Sequence, residues 1–186
     1  MDEFYEIKIV VIGAQNTGKT LFCDCLTKAY EDLNFQPYQT SFSATFRVKK
    51  LIYNNNLFKL NVWDTVGQER YTALTKIFFK DSDIILIFYN YHEKQTFERA
   101  KFFIDYTKRE SVNENCIYFL ICNKYDMNLK SKDYENIVPD EEAIEIAKKN
   151  NMIFRHLSTF EKYSNGINEL FKKALKEYTT KKNISN

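Results

Sequence analysis

The residues best able to do chemistry form a glycine-framed motif that directly follows an apolar run. Residues 13–20 read Gly-Ala-Gln-Asn-Thr-Gly-Lys-Thr, and the apolar run Ile7–Ile12 precedes them. The glycines let the chain turn back, so that successive backbone N–H groups point inward at an anion. The Lys19 ammonium can reach the β- and γ-phosphates of a nucleotide, and the Thr20 hydroxyl can ligate the magnesium ion that bridges them. The motif therefore predicts a phosphate-binding loop whose contributing residues are Gly13, Gln15, Asn16, Thr17, Gly18, Lys19 and Thr20.

A second motif adds a carboxylate, a glycine and an amide. Residues 63–70 read Trp-Asp-Thr-Val-Gly-Gln-Glu-Arg and follow the apolar run Leu57–Trp63. An aspartate at the end of a strand can hold magnesium through a water molecule, and we assign this role to Asp64. Gly67 offers a backbone N–H to the γ-phosphate, with no side chain to block a close approach. The Gln68 amide can orient a water molecule for in-line attack on the γ-phosphorus, which makes it the candidate catalytic residue.

A third motif favours guanine as the base. Residues 123–126 read Asn-Lys-Tyr-Asp and follow the apolar run Cys116–Cys122. The Asp126 carboxylate can accept two hydrogen bonds from the N1–H and N2–H₂ edge of guanine, which adenine does not offer. A site built around such an acceptor rejects the wrong base by a factor on the order of 10⁴. We expect Asn123 to tie this loop to the phosphate loop and the Lys124 stem to lie across the ring. A weaker signal is the pair Ser158-Thr159 after the last apolar run, where a backbone N–H can contact guanine O6. The predicted guanine-binding residues are therefore Asn123, Lys124, Asp126, Ser158 and Thr159.

The elements that position these motifs alternate between apolar runs and helical patterns. Such alternation predicts an α/β fold with a six-stranded, mostly parallel sheet and helices on both faces. The triplet Asn54-Asn55-Asn56 predicts a hairpin turn, because asparagine tolerates positive φ, and so predicts one antiparallel edge strand. The predicted strands are Ile7–Ile12, Phe42–Tyr53, Leu57–Trp63, Ile84–Tyr89, Cys116–Cys122 and Met152–Leu157, and the predicted helices are Lys19–Tyr30, Tyr71–Phe79, Glu93–Glu110, Pro139–Asn150 and Gly166–Thr180.

Composition narrows the class of protein. The chain has 186 residues, from which we expect one domain over residues 1–180 and a short polar tail over residues 181–186. The formal charge of +2 on 27 basic and 25 acidic side chains does not indicate a nucleic-acid partner. The four cysteines fall in predicted helix and strand, which favours packing in a reduced intracellular compartment over a disulfide framework or a zinc site. No apolar stretch reaches the roughly 20 residues needed to span a bilayer.

The order and spacing of the three motifs resemble those of the small GTPases of the Ras superfamily, which have the P-loop NTPase fold. Within that superfamily, Trp63–Tyr71, the pair Phe78-Phe79 and Gly166–Phe171 look most like the Rab branch. The resemblance implies a monomeric GTP/GDP switch in vesicle and membrane traffic that hydrolyses GTP slowly with Mg²⁺. It also implies a guanine nucleotide exchange factor, a GTPase-activating protein and effectors as partners.

Several residues depart from the Rab pattern. In the first switch the magnesium-ligating threonine becomes Ser41, with Thr40 as the competing assignment, and Phe35 is our choice for the aromatic side chain that covers the guanine edge. Val66 stands where the family has alanine, and Gln15 can crowd an incoming arginine finger. These departures keep open an alternative function, a nucleotide-bound binding module with little or no hydrolysis. An ATP-using kinase or ATPase is disfavoured, because the Asn-Lys-Tyr-Asp motif suits guanine.

The end of the chain bears on the expected location. Rab proteins normally finish with cysteines that carry geranylgeranyl chains, whereas this sequence finishes Lys-Lys-Asn-Ile-Ser-Asn. We therefore expect membrane contact only through partner proteins or through sequence missing from this chain. The expected location is the cytoplasm, including the cytosolic face of an endomembrane.

Overall fold

A computed structural model describes residues 4–28, 45–65, 79–110, 113–125, 136–159 and 164–184. Within these ranges the chain forms six strands and four helices. The strands are β1 (Tyr5–Gly13), β2 (Thr45–Tyr53), β3 (Asn56–Asp64), β4 (Ile84–Asn90), β5 (Ile117–Asn123) and β6 (Ile153–His156). The helices are α1 (Lys19–Lys28), α2 (Lys94–Glu110), α3 (Asp140–Lys149) and α4 (Ser164–Lys182).

The six strands form one sheet in the order β2-β3-β1-β4-β5-β6. Only the edge pair β2–β3 is antiparallel, and the other described pairs are parallel. Asn54 and Asn55 turn the hairpin between β2 and β3 with φ values of 47° and 61°. The predicted α/β fold, its antiparallel edge strand and its asparagine turn are therefore confirmed.

Apolar side chains cover both faces of the sheet. On one face, α1 and α4 pack over the sheet, with Phe22 of α1 against Phe88 of β4 and Phe171 of α4 at ring-centroid distances of 5.0 and 6.0 Å. On the other face, α2 and α3 pack over the sheet through residues that include Phe97 and Ala143. Strand β4 lies at the centre and is buried along its whole length. A strand buried on both faces is continuously apolar, which explains why its sequence shows no alternation.

The element boundaries differ from the predicted ones by one or two residues in most cases. Strand β6 is shorter than expected and ends at His156, although Leu157 N–H still donates to Cys122 O at 2.8 Å. Helix α4 begins two residues before Gly166 and ends at Lys182, beyond the predicted end at Thr180. Most of the predicted helix Tyr71–Phe79 lies outside the described residues. None of the helices in the described ranges is long and apolar enough to cross a membrane.

Candidate functional site

The phosphate loop runs from the end of β1 to the start of α1, at the carboxyl edge of the parallel strands. A Cβ at Gly13 would lie 2.3 Å from Phe88 O, so only glycine lets β1 pass β4 this closely at the start of the loop. Asn16 has a φ of 62°, a left-handed conformation that asparagine tolerates. Gly18 has a φ of 89°, and a Cβ there would lie 2.3 Å from Nδ2 of Asn123. The backbone of the loop thus depends on the residues that the sequence places at its turns.

Lys19 and Thr17 converge on one carbonyl oxygen of the loop. Lys19 Nζ donates to Ala14 O at 2.7 Å, and the Thr17 hydroxyl donates to the same oxygen at 2.9 Å. Burial lowers the pKa of the Lys19 ammonium to about 8, against the opposing effect of the nearby Asp64 carboxylate. A phosphate group beside the ammonium stabilises its charged form and so raises the pKa again. Lys19 is therefore placed to bind an anion inside the loop.

Asp64 lies beside this loop because the end of β3 is anchored to β1. Both the backbone N–H and the hydroxyl of Thr65 donate to Val11 O, at 3.1 and 2.8 Å. The Asp64 side chain is 1% exposed. Burial raises the pKa of its carboxyl, while a hydrogen bond from the Thr20 hydroxyl and the positive charges of Arg47 and Lys19 act in the opposite direction.

These residues fit a magnesium ion. The buried Oδ1 of Asp64 has no hydrogen-bond partner among the described residues, so this oxygen is available to a cation or to a water molecule that a cation holds. The Thr20 hydroxyl that bonds the carboxylate supplies a second oxygen ligand. Oxygen donors from a hydroxyl and a carboxylate are the set that Mg²⁺ prefers beside nucleotide phosphates. The residues present thus suit the metal, with Thr20 and Asp64 as those that would hold it.

The base-side loop is bonded directly to the phosphate loop. Asn123 Nδ2 donates to Thr17 O at 2.7 Å and lies 3.5 Å from the Thr159 hydroxyl. Asn123 is fully buried, and its Oδ1 has no hydrogen-bond partner among the described residues. The predicted tie between the two loops is therefore present. Asn123 joins Gly18, Thr17 and Thr159 into one packed unit.

Tyr125, the last described residue of the base-side loop, contacts the end of strand β6. Lys124 has a φ of 60°, and Tyr125 N–H donates to Leu157 O at 3.3 Å. The Tyr125 ring stacks on His156 at a centroid distance of 3.9 Å. The Nε2 atom of His156 in turn lies 2.9 Å from Oδ1 of Asp140. His156 thus joins Tyr125 of the base-side loop to Asp140 at the start of α3.

The structure brings most predicted site residues to one edge of the sheet. The phosphate-loop residues, Asp64, Asn123 and Lys124 lie at the carboxyl ends of β1, β3 and β5, and buried Ser158 and Thr159 follow β6. Gln15 lies in the loop with its side chain exposed. The predicted site residues Ser41, Gly67, Gln68 and Asp126 lie outside the described residues, as do the alternative metal ligand Thr40 and the candidate guanine-covering residue Phe35.

One site residue was not foreseen from the sequence. Arg47 of β2 extends its guanidinium to Asp64 Oδ2, 3.4 Å from Nη1, and to Asp24 Oδ1, 2.6 Å from Nη2. The alternation of β2 contains the signal, because Arg47 is half-buried while its neighbours Phe46 and Val48 are exposed. A charged residue on the inward face of a strand requires a counter-charge, and Asp24 of α1 and Asp64 of β3 supply it.

The fold and the site together define a P-loop nucleotide-binding protein. A family model for the Ras family matches residues 8–180. The chain belongs to the Ras family, and its relatives place it in the Rab branch of the small GTPases. It is 32% identical to putative ras-related protein Rab-5B of Dictyostelium discoideum over 88% of this chain and 71% of the relative. It is 29% identical to Rab-5A of the same organism, over 91% and 79%, and 30% identical to Rab-21 of Geodia cydonium, over 88% and 67%.

Proposed function

We propose that this protein is a Mg²⁺-dependent GTP/GDP switch that hydrolyses GTP slowly and serves in vesicle and membrane traffic. The observation that carries the proposal is the 2.7 Å bond from Asn123 to Thr17, since it joins a base-reading loop to a phosphate-binding loop. The Rab relatives support the traffic role. We further propose that residues 1–180 form a single nucleotide-binding domain.

Each residue has a defined part in this proposal. Lys19 and the N–H groups of the loop bind the phosphates, with Gly67 approaching the γ-phosphate. Thr20 would ligate Mg²⁺ directly, Asp64 would hold it through water, and Ser41 would add a hydroxyl from the first switch. Mg²⁺, when bound, neutralises charge on the phosphates. Gln68 orients the attacking water molecule.

The base specificity is tested by the nucleotide that accompanies the protein. Chromatography of the denatured, freshly purified protein should release guanine nucleotide, close to one per chain. The Asp126→Asn variant should shift preference toward xanthosine nucleotides, because the amide oxygen still accepts from N1–H while the amide NH₂ donates to the 2-oxo group that replaces N2–H₂. Recovery of adenine nucleotide, or competition of labelled GTP by excess ATP, would contradict the proposal.

Hydrolysis is tested by a single-turnover assay with Mg·GTP. The unmodified protein should convert GTP to GDP slowly, because no arginine finger is identified in its own sequence, and an activating protein should add a factor on the order of 10³ to 10⁵. Gln68→Leu should abolish this conversion. Gln95→Leu is the matched control, since Gln95 is an exposed glutamine of α2. GTP that stays intact for days, alone and with activating proteins, would favour the nucleotide-bound binding module.

The traffic role is tested by location in cells. A tagged full-length Gln68→Leu variant should accumulate on an endomembrane, where exchange factors and effectors act. The Thr20→Asn variant, weakened in Mg²⁺ binding, should move to the cytosol. An identical distribution of the two variants would argue against a nucleotide-controlled membrane role.

A further inference from the structure

Three charged side chains in successive contact connect helix α1 to the Asp64 carboxylate beside the phosphate loop. Arg47 of β2 lies between Asp24 of α1, at 2.6 Å, and Asp64 of β3, at 3.4 Å. The side chains of Arg47 and Asp24 are 18% and 20% exposed, and that of Asp64 is 1% exposed. Salt screens charges at such buried positions much less than it screens charges on the open surface.

Arg47 contacts only one side of the Asp64 carboxylate. Its Nη1 faces Oδ2 at 3.4 Å and also donates to the Thr45 hydroxyl at 3.1 Å, which fixes the guanidinium plane. The other oxygen, Oδ1, is the buried atom without a hydrogen-bond partner among the described residues. A cation near Oδ1 and the guanidinium at Oδ2 therefore share one negative charge. Two positive charges on one carboxylate repel each other, and the repulsion is strong where water is excluded.

Arg47 carries a fixed charge. A guanidinium cannot be deprotonated in a protein, so its repulsion acts at every physiological pH. Asp24 moderates the effect, because its shorter contact draws the positive charge toward α1 and away from Asp64. The position of the Arg47 guanidinium between Asp24 and Asp64 thus sets the strength of its repulsion of a cation at the magnesium site.

We propose that Arg47 is a positioning residue that weakens Mg²⁺ binding at Asp64, and that Asp24 limits this weakening by holding the guanidinium. The inference rests on the proposed function, which assigns Asp64 to Mg²⁺. Because Mg²⁺ links the protein to the phosphates, a weakened metal site raises the rate of nucleotide release when Mg²⁺ is scarce. The residue therefore tunes how readily the switch exchanges its nucleotide.

The test is a magnesium titration of nucleotide release. The full-length protein and its variants are loaded with a fluorescent GDP, and release into excess unlabelled GDP is followed over a range of Mg²⁺ concentrations. Arg47→Gln should lower the Mg²⁺ concentration that half-suppresses release by on the order of tenfold, as Coulomb's law at an effective dielectric constant of about 20 suggests. Asp24→Asn should raise that concentration, because the guanidinium then acts on Asp64 alone.

Lys49→Gln is the matched control. Lys49 lies on the same inward face of β2, but its ammonium donates to Leu26 O at 2.7 Å, two strand positions farther from Asp64. This variant should leave the midpoint unchanged.

The pattern of signs separates the outcomes. Opposite shifts for Arg47→Gln and Asp24→Asn support the inference, because loss of mere structural support would weaken Mg²⁺ binding in both variants. A midpoint that stays constant or rises in Arg47→Gln overturns the inference and leaves the proposed function intact. If the rate of GDP release from the unmodified protein does not depend on the Mg²⁺ concentration, the proposed magnesium site is refuted and so is the inference.

Discussion

Gly18 offers the sharpest test of how the two loops of the site depend on each other. A Cβ added at Gly18 would lie 2.3 Å from Asn123 Nδ2, and the φ of 89° is a conformation that alanine rarely adopts. The left-handed backbone costs alanine about 1–2 kcal/mol. Displacing the buried amide from Thr17 O costs about 1–3 kcal/mol more. Gly18→Ala should therefore lower the free energy of unfolding by about 2–5 kcal/mol.

Thermal unfolding followed by circular dichroism measures this cost. For a chain of 186 residues, 1 kcal/mol corresponds to about 2–4 °C, so Gly18→Ala should lower Tm by roughly 4–20 °C. Gly166→Ala is the matched control, because among the described residues its Cβ meets only Leu157 Cδ1, at 3.5 Å, in the first turn of α4. Alanine should stabilise that helix by about 0.5–1 kcal/mol.

A double-mutant cycle separates the clash from the backbone strain. In the Asn123→Ala background the clash with Nδ2 is gone, so Gly18→Ala should cost only the part due to its φ. Equal costs in both backgrounds, within about 0.5 kcal/mol, would refute the contact between Gly18 and Asn123 as the reason for glycine.

Two further predictions concern the core and the buried thiols. Phe22→Ala should cost about 3–5 kcal/mol in urea unfolding, because Phe22 is fully buried against Phe88, and a cost below about 1 kcal/mol would contradict this packing. Burial raises the pKa of the Cys122 thiol to about 12, so iodoacetamide at pH 8 should modify half-buried Cys25 well before Cys122 in the folded protein. Between pH 9 and 12 the unfolded thiol loses its proton while the folded thiol keeps it, so this group should lower stability as pH rises, and a stability difference between the unmodified protein and Cys122→Ala that stays constant over this range would contradict the shift.

The strands and the position of the phosphate-loop residues could be predicted from the sequence, because residues close together in the chain determine them. The run Ile7–Ile12 must be buried, and the glycine motif after it leaves few backbone paths. The turn between β2 and β3 is also determined locally, by asparagines that tolerate positive φ. Asn123 could be placed against the phosphate loop because parallel strands end at the same edge of the sheet.

The contacts of charged side chains from distant elements could not be predicted in this way. Arg47 meets Asp24 and Asp64 only after β2 pairs with β3 and α1 packs across them, so no spacing in the sequence marks the trio. The same holds for His156, whose partners Asp140 and Tyr125 come from other elements. The ends of β6 and α4 differ from the predicted ones by one or two residues, because element ends fray and are weakly determined by sequence.

The bond from Asn123 to Thr17 also fixes the separation between the base pocket and the phosphate pocket. A nucleotide that engages one pocket presents its other end to the second pocket at a high effective concentration. Guanosine and pyrophosphate, offered as separate molecules, each meet only one pocket and forgo that gain. The intact nucleotide should thus bind far more tightly than the two fragments together, and the linkage itself becomes part of what the protein recognises.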